Sequence, residues 1–382
     1  MPSHPIGRRF NKRSTLGATG VIVCTFVYFL LFAQFALLHR IEELDAEKEW
    51  LQPVMLLMGI GGLLGSFVAW KLYRITRYRF LLGASFFLCS VLAFISSMTN
   101  RLEVFVGVGF GVGLFLGMLT VFVVPTLRLT ISASKIGLWS GVGTGLAYFF
   151  SNLPWVFQMS PAMQCAFCGI VGLLGLFLVG TLPRDAMESF EEPVPGSENG
   201  KSFFGPTLVL FFFLVWLDSA AFYVIQETDS LKAAAWGTPN RLWGNGLFHL
   251  FFGVVSGVMI DRGRLIGVLT IAMLFLVGGS LWLTGGYRDV AWLGAVFYVS
   301  GVSLYSTGLV ASIAKQGEMQ GQWPMAKRAA LLFALAGWVS SGMGIGMARD
   351  LGTIPYLFLL VALAACLGVN LWLARLVRRT AA

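Results

Sequence analysis

Between residues 203 and 224 the sequence reads FFGPTLVLFFFLVWLDSAAFYV, an apolar run broken by one charge, Asp218. Runs of this length recur along the whole chain, and no other feature limits its fold as strongly. About twenty apolar residues in an α-helix cover the ~30 Å hydrocarbon core of a bilayer. The runs are continuous rather than alternating, so helices, not barrel strands, satisfy their backbone in lipid. Only 12% of residues are charged and 57% are hydrophobic, against about 25% charged in a water-soluble domain. The expected fold class is an all-α polytopic membrane protein.

Twelve transmembrane spans are expected, at 16–38, 50–70, 80–98, 104–124, 138–157, 163–182, 203–224, 239–260, 265–284, 290–313, 329–349 and 351–373. Between the sixth and seventh lies PRDAMESFEEPVPGSENGKS, which is acidic, proline-containing and reads as a linker. This gives an N-terminal six-helix bundle (1–182), a cytoplasmic linker (183–202) and a C-terminal six-helix bundle (203–382). The opening GRRFNKRST is similar to a twin-arginine signal. The apolar stretch after it is too long for a signal core and ends in LLHRIEELD without a small-residue cleavage site, so a retained first span is expected.

Of the 27 Lys and Arg residues, twenty fall on the N-terminal side of these spans and seven on the other. The positive-inside rule then places both termini in the cytoplasm, in an inner or plasma membrane. The same bias accounts for the net charge of +9 without a nucleic-acid partner. All five cysteines lie in apolar runs, which argues against a disulfide framework.

The turn between spans eight and nine reads SGVMIDRGRLIGVL, and its counterpart between spans two and three reads AWKLYRITRYRFLLG. Aligning Arg74 with Arg262 gives an offset of 188 residues, close to half of 382. Duplicated halves of this kind mark many secondary transporters. Gly257-x-x-x-Asp261-Arg262-Gly263-Arg264 resembles the G-x-x-x-D-R-x-G-R turn of the major facilitator superfamily, one residue short before the glycine. In the first half Ala69, Tyr73, Arg74, Thr76 and Arg77 stand where Gly, Asp, Arg, Gly and Arg would be expected. The resemblance covers essentially the whole chain. It implies two pseudo-symmetric bundles moving a small solute by alternating access, with the turns latching the cytoplasmic side. Physically, an acid at a helix end accepts bonds from another helix's N-terminal N–H groups, while arginines pair elsewhere. Asp261, Arg262 and Arg264, with Arg74 and Arg77, are therefore the gating candidates; Tyr73 cannot carry the charge. Both turns could equally serve only as positive-inside determinants.

A charge inside a span is costly and is a functional candidate by default. Away from span ends, Asp218 is the only carboxylate inside an apolar run. Span eight, NRLWGNGLFHLFFGVV, places Arg241, Asn245 and His249 at i, i+4 and i+8 on one face. Asn245 falls at nearly the depth of Asp218, His249 near the midplane and Arg241 near the outer mouth. The four form either a substrate or proton-coupling patch or a structural clasp, including an Asp218–Arg241 pair. Gln34 in span one, Tyr148 and Asn152 in span five, and Tyr298, Ser303, Tyr305, Ser306 and Thr307 in span ten either line a cavity or bond back to their own helices. The rows Gly109-x3-Gly113-x3-Gly117 and Gly137-x3-Gly141-x3-Gly145 predict close helix packing.

Met159, Met163, Cys165 and Cys168 lie near one membrane face, with Met343 and Met347, and Met55 and Met58, at a similar level. Such soft ligands suit Cu(I), as in the copper-importing branch of the superfamily, but also serve as ordinary packing. That branch carries Met and His pairs on spans seven and eight. Here span seven has no Met, and His249 is followed at i+4 by Gly253. Span four lacks the buried arginine of many proton-coupled drug exporters of the family. No phosphate loop, HExxH or GxSxG occurs, so neither an ATP-driven pump nor an enzyme is expected. The reading is a monomeric secondary transporter of a small solute, with proton coupling and without a cofactor. A copper importer, or a non-transporting membrane factor of the same fold, is the alternative.

Overall fold

The computed structural model describes residues 11–45, 47, 49–74, 76–183, 199–284, 291–316 and 322–381, and these form helices and turns with no strand. Twelve long helices follow in order. They are α1 (Lys12–Leu44), α2 (Leu51–Leu72), α3 (Tyr78–Met98), α4 (Leu102–Thr130), α5 (Ile136–Ser151), α6 (Pro161–Val179), α7 (Asn199–Glu227), α8 (Pro239–Asp261), α9 (Leu265–Thr284), α10 (Ala291–Gln316), α11 (Pro324–Leu351) and α12 (Tyr356–Ala381). Eleven are long and apolar enough to cross a membrane. The exception, α5, stops at Asn152 and resumes as a single turn, Pro154–Phe157. The start of α1 and the end of α12 share one face, here the terminal face; the opposite one is the distal face. The linker between α6 and α7 lies largely outside the described residues.

The helices outrun their apolar stretches where good helix formers continue the backbone ladder. Helix α1 runs on through LLHRIEEL, tied at its distal end by Arg40, which pairs with Glu43 at 2.8 Å and donates to the Thr99 carbonyl at 3.2 Å. Helix α10 extends to Gln316 and so carries Lys315 in its last turn. A short helix, Asp229–Trp236, forms from DSLKAAAW between the seventh and eighth expected spans. Within α1 residues Tyr28–Ala36, and within α11 residues Phe333–Val339, the helix widens to π geometry, a feature often found at functional sites.

Helices α2 and α4 pack along a row of glycines. A Cβ on Gly113 would stand 1.9 Å from the Met58 carbonyl oxygen, and one on Gly117 2.5 Å from that of Gly62. Backbone on both sides cannot yield without parting the helices. Gly113→Val is expected to destabilise by at least about 2 kcal/mol. Gly107→Val, with nothing within 4 Å of its added Cβ, is the control. Comparing unfolding temperatures of the purified proteins checks this; equal values would refute the packing argument.

The first six helices meet the last six through two pairs, α5 with α8 and α2 with α11, joined by α10 against α5 and α4. At the α2–α11 crossing, Gly62 makes room for Trp338: an added Cβ would lie 2.1 Å from the indole ring. These seams flank the cavity described next.

Candidate functional site

A cavity of about 410 Å³ lies between the two sets of six helices. Both π-helical segments contribute walls, with Phe29, Gln34 and Phe35 from α1 and Phe333 and Trp338 from α11. It reaches Glu227 and Asp229 near the distal face, where both are exposed. Phe35 crosses between the halves there, with ring centroids 5.5 Å from Phe157, 5.2 Å from Phe222 and 6.0 Å from Trp236. Toward the terminal face the cavity ends where α5, α8 and α10 close together.

Asp218 reaches this cavity from α7. Its Oδ1 accepts from the Tyr298 hydroxyl at 2.7 Å and its Oδ2 accepts from Tyr305. Both tyrosines come from α10, about two helical turns apart at i and i+7, so one face of that helix supplies both donors. A carboxylate at this depth costs about 3 kcal/mol when unpaired; two hydroxyl donors offset part of that while leaving it no cationic partner among the described residues.

His249 also lines the cavity, stacked on Tyr148 with centroids 4.1 Å apart and planes at 14°. The Ser303 hydroxyl donates to the Val299 carbonyl at 3.0 Å, which leaves His249 Nδ1 to donate to Ser303 Oγ at 2.6 Å. Beneath them α5 and α10 are joined by Tyr148 with Ser306 at 3.1 Å and Thr144 with Thr307 at 3.0 Å. Gln34 and Asn152 line the cavity as well, the Asn152 side chain donating to the Tyr148 carbonyl at 2.9 Å.

Two residues of the expected patch are elsewhere. Asn245 is buried but donates to the Ala235 carbonyl at 2.9 Å, fastening the short helix Asp229–Trp236 to α8. Arg241 is exposed and donates to the Ala233 carbonyl of the same short helix at 2.5 Å, so it does not pair with Asp218. Both share a face with His249, but at their depth that face meets the short helix rather than the cavity.

The soft ligands do not converge either. Cys165 and Cys168 are fully buried within the first six helices, Met163 and Met343 are exposed on the outer surface, and none of these, nor Met159 or Met347, lines the cavity. Met55 and Met58 do. No cluster of three or more His, Cys, Asp and Glu suited to a metal occurs among the described residues.

At the terminal face Asp261 ends α8. Its two carboxylate oxygens accept from Gly137 N at 2.9 Å and Leu138 N at 2.8 Å, two of the unpaired N–H groups that open α5. Lys315 of α10 donates to Asp261 Oδ1 at 2.8 Å and to the Ala133 carbonyl at 2.7 Å. Nothing in the sequence set Lys315 apart from the other basic residues of that face. The turn after Asp261 is fixed by Gly263, whose φ of +77° allows Gly263 N to reach Ile260 O at 2.9 Å and Arg264 N to reach Met259 O at 3.0 Å. Arg262 and Arg264 point outward, exposed.

The first-half turn is different in kind. Tyr73 is buried, its ring 6.2 Å from Phe122, while Arg74 donates to the Tyr73 carbonyl at 2.9 Å and Arg77 is exposed. Contact with α11 is made instead by Lys327, its ammonium 5.3 Å from the Trp70 ring centroid.

The fold is the one found in solved transporters of the major facilitator superfamily. Solved structures that share it include the human organic anion transporter MFSD10 (TM-score 0.67, 14% identity, 94% of this chain and 100% of that one). They also include FucP in the outward conformation (0.67, 15%, 95% and 98%). The proton:xylose symporter XylE bound to 6-bromo-6-deoxy-D-glucose is a third (0.64, 13%, 95% and 95%). Sequence comparison matches the chain to no family model and to no curated protein.

Proposed function

We propose that this chain is a secondary transporter that carries a small solute by alternating access, with Asp218 as the anchor for solute or proton. The observation that carries the reading is the asymmetry of the cavity. It reaches the distal face, while on the terminal face the α5–α8 seam, Asp261 and Lys315 hold the two halves together. The units that rock about it are residues 1–182 and 203–382, joined by 183–202. The excess of basic residues assigns the terminal face to the cytoplasm, so this conformation faces outward. His249, Tyr305, Gln34 and Asn152 furnish polarity around Asp218. Arg262, Arg264, Arg74 and Arg77 anchor the turns at the membrane surface.

Asp261 and Lys315 act as the gate. Asp261→Asn keeps one acceptor for the α5 N–H groups but loses the ion pair. The outward state is expected to weaken by about 1–3 kcal/mol, read as a shift toward longer distances between spin labels at Ser134 and Arg264, two exposed positions across the seam. An unchanged distance distribution would remove Asp261 from the gate.

Transport itself is tested by counterflow into proteoliposomes over a panel of organic cations, anions and neutral sugars. Protein-dependent accumulation of at least one solute is the expected result. No movement of any solute, together with one co-purifying protein, would favour a non-transporting membrane factor. Copper import draws little support from the cavity, because of the soft-ligand candidates only Met55 and Met58 line it.

A further inference from the structure

Three properties of the cavity narrow the class of cargo. Its charge is one-sided. Among the described residues, four carboxylates line it, Asp218 deepest and Glu42, Glu227 and Asp229 toward the distal mouth, against one Lys or Arg, Lys232. Low-dielectric walls focus such a field and concentrate counter-ions of opposite sign.

The donors at the floor are also spent. Tyr298 and Tyr305 give their hydroxyl protons to Asp218, His249 Nδ1 is turned to Ser303, Tyr148 joins Ser306, and Asn152 serves a backbone carbonyl. An anion reaching Asp218 meets the donors of Tyr298, Tyr305 and His249 Nδ1 already engaged. A cation meets a carboxylate whose two oxygens each accept one bond and retain a further lone pair.

The walls are aromatic, with twelve Phe, Tyr and Trp among the 41 lining residues. Tyr298 and Tyr305 belong to this lining, and aromatic faces attract a poorly hydrated organic cation. Farther out, Gln226 Nε2 is buried with no hydrogen-bond partner among the described residues, and it can receive one neutral polar group.

We propose that the transported solute is a monovalent organic cation with an apolar body, an amine or quaternary ammonium, whose charge is held by Asp218 within the aromatic walls. This rests on the transport reading, and it differs from the organic anion and the xylose carried by the similar transporters. Those identities of 13–15% carry the fold and not the cargo.

The test is equilibrium binding to the purified full chain in nanodiscs, with radiolabelled benzyltrimethylammonium, tetraethylammonium and phenethylamine. Phenylmethanesulfonate and benzyl alcohol serve as anionic and neutral partners of similar shape. Saturable binding of at least one cation is expected, undisturbed by a hundredfold excess of the anion or the alcohol. In Asp218→Asn the affinity should fall about 30-fold or more, with Asp218→Glu retaining the preference for cations.

The wild-type comparison stands even if Asp218→Asn does not fold. Binding of the anion or alcohol as tightly as any cation, or no saturable binding of all three cations, overturns the assignment. Spin-label distances across the two faces depend on no choice of ligand. A protein that alternates but prefers an anion refutes the cargo and leaves transport intact; one that does not alternate refutes transport.

Discussion

Asp218→Asn is expected to reduce proton-linked solute uptake by about 30-fold or more, to the background of protein-free liposomes. The amide replaces only part of what the carboxylate does. Its oxygen still accepts from one of Tyr298 and Tyr305, but its NH2 group only donates, so one hydroxyl loses its acceptor. A buried hydroxyl without a partner costs about 1–3 kcal/mol, which the protein can survive. The amide cannot hold an organic cation by charge, and it cannot take up or release a proton. Uptake driven by a pH gradient into proteoliposomes measures this, with size-exclusion behaviour as the folding control. Uptake with wild-type pH dependence in the variant would end the role assigned to Asp218.

Gly141→Val should trap the protein with its terminal face apart. A Cβ on Gly141 would lie 2.1 Å from the Gly253 carbonyl oxygen, and one on Gly257 2.3 Å from that of Gly137. Both contacts are backbone against backbone, so no rotamer change relieves them. The added side chain must separate α5 from α8 and break the Asp261 bonds to Gly137 and Leu138 at the same time. Overpacking of this kind costs about 1–3 kcal/mol. The cost falls only on the conformation in which the seam is closed, so that state loses about 5- to 150-fold in population. Spin labels at Ser134 and Arg264 should move to longer distances and uptake should fall with them. A closed-seam distance that persists in Gly141→Val would show that the glycines are spacers without a conformational role.

Much of the fold was legible because bilayer thickness and helix rise dictate run length: eleven of the twelve expected spans fall on helices long and apolar enough to cross a membrane, and the fifth falls on a shorter helix that breaks at Asn152. The errors fall where backbone hydrogen bonding outruns hydropathy. LLHRIEEL is too polar to belong to a membrane run, yet it continues α1 without a break. The site was legible in part. Asp218 stood out as a lone charge in apolar sequence, but its tyrosine partners are 80 and 87 residues away, and ordinary span-ten hydroxyls look the same on paper. Helical arithmetic placed Arg241, Asn245 and His249 on one face. Which part of that face meets the cavity was decided by the short helix Asp229–Trp236, which depth along α8 could not anticipate. The Asp261 turn carried its own signal, because an acid at a helix end followed by a glycine is both a ligand for N–H groups and a helix stop. Its partners Gly137 and Lys315 were hidden behind sequence separations of 124 and 54 residues.

The most direct test of alternating access uses two pairs of spin labels in the same reconstituted protein, Ser134 with Arg264 on the terminal face and Gln158 with Ser230 on the distal face. All four positions are exposed. Their distance distributions should be measured in nanodiscs over a range of pH and with the solute panel. The account predicts two populations on each face that shift reciprocally, the terminal pair lengthening as the distal pair shortens. A single distance on each face, unchanged by every condition, would contradict it.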